Sequence, residues 1–329
     1  MSAGAGLEGR SGLPYGIGVT DVTSKGVGMT RVASPTGKVI LVTGASSGIG
    51  KQTALALAKQ GHRVIMHGRD AARLEEAREW VAQESGSADV EAYAADLSLM
   101  AEVRALANAI ACDHDHLDVL VNNAGAQFGG ERRETAEGHE RTFAINALAP
   151  FLLTNLLLPL LERSESARVV TVSSESYRQA GHPELEADGS LVDPELARGY
   201  SMARAYGRSK LYVWWLMRAL DRRLRERGIT NVTVNTVEPG SAFSGLQRDT
   251  LRRTPYMIPL YVLWLPFMRT AAHAARTSVF LAASPEVEGI SGEFWGNLRR
   301  KRINPKWISR TGEEAIWGYC ERTCAEWLD

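Results

Sequence analysis

The 329-residue chain predicts an α/β fold, a doubly wound parallel sheet in a single domain. Three observations carry that expectation. From Lys38 onward, short β-branched runs alternate with stretches of helical apolar period. Those runs are apolar at consecutive positions, the pattern of strands covered by helices on both faces. A glycine-rich turn closes the first run just where the first helix opens.

The first run, KVILVTG (38–44), reads as a buried strand, and a helix is expected from Gly48. RVIMHG (63–68) gives the second strand and ARLEEAREWVAQE (72–84) the helix after it. VEAYAAD (90–96) is the third strand, followed by helical AEVRALANAIA (101–111). LDVLVNNAG (117–125), ARVVTVSS (167–174) and NVTVNTVEPG (231–240) supply three more strands. The Leu-rich stretch LAPFLLTNLLLPLL (148–161) contains Pro159 and is read as too short to span a bilayer. Cys320 and Cys324 share one face of AIWGYCERTCAEWLD with Ile316, Trp317 and Trp327, which predicts a terminal helix packed on the body.

Residues 1–36 hold eight glycines and no sustained apolar period, so a flexible N-terminal arm is expected there. No repeat or linker interrupts 37–329, which is expected to form one domain. Lys plus Arg equals Asp plus Glu at 38 each, so no overall field favours nucleic acid. Three cysteines without disulfide spacing suit a reducing compartment, and the N-terminus lacks the cationic and apolar pattern of a signal peptide. A cytoplasmic protein is the expectation.

TGASSGIG (43–50) sits between a strand and a helix. Gly44 permits the tight turn, while Gly48 and Gly50 let the backbone approach a diphosphate at the helix N-terminus. The second strand ends in HGRD, with Arg69 at its tip. A guanidinium fork there suits a 2′-phosphate and favours NADP over NAD. Asp70 offers two further readings, a ribose ligand or a helix cap.

Tyr206 and Lys210, in YGRSK, fall one turn apart on a helix face. An ammonium ~4 Å from a phenol is worth at most ~4 kcal/mol at an effective dielectric of ~20, or about three pKa units. The pair is therefore expected to draw the phenol down toward the working range of an acid–base catalyst.

The motifs TGxxxGIG, NNAG (122–125), Asn146, Ser-Ser (173–174), YxxxK (206–210) and Pro-Gly (239–240) stand in the order found in short-chain dehydrogenases/reductases. Over residues 37–329 the chain resembles that family. TAEGHERTFAINALAPFLLTNLLLPLL, YGRSKLYV and SPEVEGISGEFW are similar to its retinol-dehydrogenase-like branch. The resemblance implies a Rossmann fold with a substrate lid, and an NADP(H)-dependent oxidoreductase of lipophilic carbonyls or alcohols. It implies that Gly44, Ser46, Ser47, Gly48, Ile49 and Gly50 wrap the cofactor phosphates. It places Asp96 and Leu97 at the adenine, and Asn123, Ala124 and Gly125 on the way to the nicotinamide ribose. Pro239, Gly240 and Ser244 would lie near the nicotinamide.

Catalysis would fall to Tyr206 with Ser174, which would donate a hydrogen bond to the substrate oxygen. Strand alternation turns Ser173 to the opposite face. Lys210 would also hold the ribose hydroxyls, and Asn146 would position a relay water. Two other readings share this framework: reduction of a carbon–carbon double bond, and a non-catalytic dinucleotide sensor. Relatives that pair do so through the helix near Ala149 and the one carrying Tyr206, so a homo-oligomer is compatible with the sequence.

Three stretches depart from the compact pattern. The 31 residues between Ser174 and Tyr206 are expected to loop out near the site, as a gate or as surface decoration. Glu238 before Pro239 is unusual for the family; a carboxylate there could face solvent or tune the nicotinamide environment, and the solvent-facing place is expected. TPYMIPLYVLWLPFM (254–268), flanked by Arg248, Arg252 and Arg253, reads as a lipophilic substrate wall or a peripheral membrane contact. Two clusters read as inert. CDHDH (112–116) is expected to be a solvated helix end rather than a metal site, and LRRKR (298–302) a solvated basic patch.

Overall fold

The computed structural model describes residues 37–240 and 270–328, so the arm 1–36, Ser244 and the apolar stretch 254–268 lie outside the described residues. All six expected strands form: β1 (Val39–Val42), β2 (Arg63–Gly68), β3 (Val90–Ala94), β4 (Val119–Asn122), β5 (Ala167–Val172) and β6 (Val232–Glu238). They are parallel throughout. Two short strands missed by the sequence reading follow. β7 (Phe294–Gly296) is parallel to β6, and β8 (Arg299–Arg300) is antiparallel to β7.

The order β3-β2-β1-β4-β5-β6-β7-β8 reverses between β1 and β4. An open α/β sheet presents its ligand crevice beyond the strand ends at such a reversal. Alternate residues feed two cores. Ile40 and Val42 pack with α1 (Gly48–Ala58), α2 (Ala71–Ser85) and α7 (Ala271–Ala283). Val39 and Leu41 pack with α3 (Met100–Asp113), α5 (Ala149–Glu162) and α6 (Met202–Glu226).

Four local expectations are corrected. The Leu-rich segment belongs to a continuous helical run, Arg141–Glu162, of 22 residues, which is long and apolar enough to cross a membrane. Packing rather than length argues against that, since 78% of its apolar window is buried inside the body. His114 is buried, its Nε2 3.1 Å from Glu91 on β3, rather than solvated. No acid, His or Cys cluster suited to a metal occurs among the described residues. Of the residues after Ser174, 181–190 stay largely exposed as expected, while the first turn docks instead of looping free, with Tyr177 fully buried against Trp214, Phe294 and Trp307. Gly207 permits this, because a Cβ there would stand 2.6 Å from the Ser176 carbonyl oxygen. Finally, Lys301 of the basic run is half-buried between two carboxylates, while Arg299 and Arg300 are exposed as expected.

The terminal helix packs as its pattern predicts. α8 (Arg310–Thr323) sets Trp317 edge-on to Phe151 of α5, with ring centres 4.9 Å apart. Its Glu313 is fully buried against Arg218 and Arg222 of α6. Cys320 and Cys324 are buried free thiols whose pKa values burial pushes up.

Candidate active site

The glycine turn owes its shape to what cannot fit beside it. Gly44 has φ +65°, and a Cβ there would meet the Ala124 Cα at 2.8 Å. A Cβ on Gly50 would meet the Gly44 carbonyl oxygen at 2.3 Å. Thr43 stitches this turn to the end of β4: its Oγ1 accepts from the amides of Asn123 and Ala124 at 3.0 Å each. Asn123 Nδ2 returns a bond to the Thr43 carbonyl at 2.8 Å. Ser47, the N-cap of α1, makes no side-chain cap bond, so the helix N-terminus keeps its donors for an anion.

His67 was missed by the sequence reading. Its Nδ1 accepts from the Gly44 amide at 3.4 Å and its Nε2 donates to the Ala95 carbonyl at 3.0 Å. Burial lowers its pKa to about 4, so the ring stays neutral and keeps both roles. At the tip of β2 the Asp70 question resolves toward capping: its Oδ1 accepts from the Arg73 amide at 3.0 Å. Arg69 is exposed at the cleft edge.

A cleft of ≈ 720 Å³ runs from this turn to the ends of β5 and β6. Among the described residues, every predicted site residue lines it except Asn146. Asn146 stands behind the wall, in a π-helical turn (Ala144–Leu148) between α4 (Arg141–Phe143) and α5. Its Oδ1 accepts from the Ala126 amide at 2.7 Å. Its Nδ2 donates to the Ala126 carbonyl at 2.8 Å and to Ser209 Oγ at 3.0 Å. One lone pair of Oδ1 is left for anything else.

Tyr206 is half-buried, with its hydroxyl enclosed by protein atoms and close enough to Ser174 for that hydroxyl to favour its ionised form. Burial nevertheless dominates and pushes the phenol up to about 12. Lys210 Nζ donates to the Val172 carbonyl at 2.9 Å and lies 5.8 Å from the Tyr206 ring centre. Burial lowers its pKa to about 8. The expected lowering of the phenol by the ammonium is thus absent here; desolvation of both groups outweighs their attraction. Ser173 turns away as expected, donating to the Lys210 carbonyl at 2.8 Å. Gly125 keeps the passage open, since a Cβ there would come within 3.3 Å of Lys210 Nζ.

Glu238 corrects another expectation. It is buried, with Oε1 2.6 Å from Lys301 Nζ and Oε2 accepting from the Gly240 amide at 2.8 Å. Only its unusual place before Pro239 marked it in the sequence.

Two glycine positions closed to side chains, an open helix N-terminus and one continuous cleft fit an extended dinucleotide. This is the layout of a dinucleotide-dependent oxidoreductase. The short chain dehydrogenase profile matches residues 38–183. Human retinol dehydrogenase 14 is 37% identical over 301 residues, spanning 87% of this chain and 85% of its own. Human retinol dehydrogenase 12 is 34% identical, spanning 92% of this chain and 91% of its own. Among solved structures, the Pseudomonas aeruginosa RhlG/NADP active-site complex superposes with TM-score 0.61 at 28% identity, covering 79% of this chain and 94% of that one. The chain belongs to the short-chain dehydrogenase/reductase family, in its retinol-dehydrogenase-like branch.

Proposed function

We propose that the protein transfers a hydride between NADP(H) and a carbonyl or alcohol carbon of a lipophilic small molecule. The observation that carries this reading is the gathering of Ser174, Tyr206 and Lys210 into one cleft with the glycine turn. Arg69 at the edge, with Asp70 engaged as a cap, favours the 2′-phosphorylated cofactor. The similar RhlG structure, an NADP complex, supports that choice. The apolar character of the substrate draws on the retinol dehydrogenases that the chain resembles, and on Phe128 and Ile145 in the cleft wall.

The bound cofactor supplies or accepts the hydride. Ser174 donates a hydrogen bond to the substrate oxygen and stabilises the charge that grows there. A phenol near 12 stays protonated through neutral pH, so Tyr206 is poised as a general acid. It gives up its proton to the more basic oxygen formed as a carbonyl is reduced. Lys210, with two ammonium protons beyond its bond to Val172, holds the ribose and adds positive charge beside the phenol. This balance favours the reductive direction. Tyr206→Phe should reduce turnover at least about a thousandfold while NADPH binding changes less than about threefold. Turnover that survives the substitution defeats the assignment.

A further inference from the structure

The carboxyl ends of β5 and β6 carry two carboxylates that this chemistry leaves unused. Glu175 follows Ser174 directly, and Glu238 precedes the Pro239-Gly240 turn. Both line the cleft that holds Tyr206 and Lys210. Lys301 joins them, with Nζ 2.5 Å from Glu175 Oε1 and 2.6 Å from Glu238 Oε1. Burial works against the Lys301 charge, but the two carboxylates outweigh it and hold its pKa above the ordinary lysine value. Arg178 reaches the other oxygen of Glu175 at 2.8 Å from a more exposed position.

The hairpin that delivers Lys301 is built for this contact. A Cβ at Gly296 would stand 2.5 Å from Glu238 Oε1 and 2.9 Å from Lys301 Cε. The Lys301 amide donates to the Phe294 carbonyl at 2.7 Å, which fixes where its side chain starts. Asn297 and Leu298 both take positive φ, +53° and +61°, in the two-residue turn between β7 and β8. Leucine seldom adopts that conformation, and Thr277 Oγ1 holds it by accepting from the Leu298 amide at 3.2 Å.

The result is an oriented field. The two carboxylates belong to the cleft wall, whereas neither Lys301 nor Arg178 does. The Glu238 side chain is only 8% exposed, so solvent and salt screen it little. We propose that Glu238, held by Lys301, positions the Gly240 turn and biases the nicotinamide end toward the positively charged oxidised ring over the neutral reduced one. This rests on the nicotinamide reading above. By linkage, a site that binds the oxidised ring more tightly makes its bound reduced cofactor the stronger hydride donor.

The test titrates NADP+ and NADPH separately into the full-length protein, followed by tryptophan fluorescence. Glu238→Gln keeps the side-chain shape and an oxygen for the Gly240 amide. It should lower the NADP+ to NADPH affinity ratio about tenfold, the order of effect expected from losing one weakly screened charge in the cleft wall. Glu175→Gln, on a more exposed carboxylate, should move the ratio the same way by a smaller factor, and it carries the test should Glu238→Gln not fold. Lys301→Met releases the turn, which should weaken both forms, and leaves the two carboxylates without their ammonium, which should shift the ratio toward NADP+. Equal weakening of both forms by the glutamine variants, or no change, overturns the electrostatic assignment. Unchanged affinities in Lys301→Met overturn the positioning role. A protein that binds NADH in place of NADPH sinks only the Arg69 reading, and the ratio is then read with NAD+ and NADH. A protein that binds no nicotinamide dinucleotide sinks both.

Discussion

The two ends of the cleft are built from different materials. The phosphate end is made of backbone: glycines that exclude Cβ atoms, an uncapped helix start, and Thr43 and His67 holding the turn by its amides. The opposite end is made of buried charge, with Lys210 and Glu238 set among strand ends and half-buried Lys301 against them. Backbone amides cost little to present because they need partners in any case. Buried ions cost several kcal/mol each unless paired, so a fold retains them where they serve the bound state. The comparison implies that an exposed side chain at the phosphate end, such as Arg69, can be altered at little expense in stability, whereas the other end trades stability for activity.

The largest expected effect probes that trade. Lys210→Met should lower turnover about a thousandfold or more. The ligand-free protein should lose no stability at pH 7 and should gain some. Burial displaces the Lys210 pKa from 10.5 to about 8, a cost on the order of 3 kcal/mol. The lost bond to Val172 returns only about 1–2 kcal/mol of that. Because the folded-state value lies below the unfolded one, the wild-type protein should become more stable as pH rises from about 8 to 10.5. The variant should lack that rise in urea titrations across the window. A variant clearly less stable at pH 7 would erase the contrast between the two ends.

Arg69→Gln tests the other end and should act without any stability change, since the side chain is exposed. Loss of one charge-assisted contact predicts a preference for NADPH over NADH reduced about 10- to 100-fold. A preference that does not move would show that another group reads the 2′ position, with Arg73 of the same cleft next in line.

The same division explains what could be read beforehand. Six strands, the sheet's parallel character and the glycine turn were legible, because strand period and turn glycines are local signals in the chain. The Tyr206–Lys210 pair was legible as spacing, yet its electrostatics were not. A pairwise estimate sees the attraction, whereas the burial that reverses the result comes from the surrounding fold. Glu238 and Lys301 lie 63 positions apart and meet only because β7 and β8 extend the sheet. Those strands escaped notice because FWG and RR are too short to show a period. His114 was misread for a related reason: its cover, Glu91, comes from a neighbouring strand.

The smallest expected effect lies in the hairpin that carries Lys301. Leu298 sits at φ +61° beside Asn297 at +53°, the pattern of a turn that favours Asn-Gly. Leu298→Gly should therefore relieve about 1–2 kcal/mol of backbone strain. Against this stand the apolar contacts of a half-buried leucine, on the order of 1 kcal/mol. A glycine also costs more backbone entropy on folding. The balance predicts a change within about 1 kcal/mol, or a melting shift of roughly 2 °C. If the strain serves to aim Lys301, the relaxed turn should loosen the ammonium from Glu238. NADPH affinity should then fall by more than the melting temperature suggests. An equal or improved affinity would mark the left-handed leucine as incidental, and would leave the Gly296 contact to place Lys301 alone.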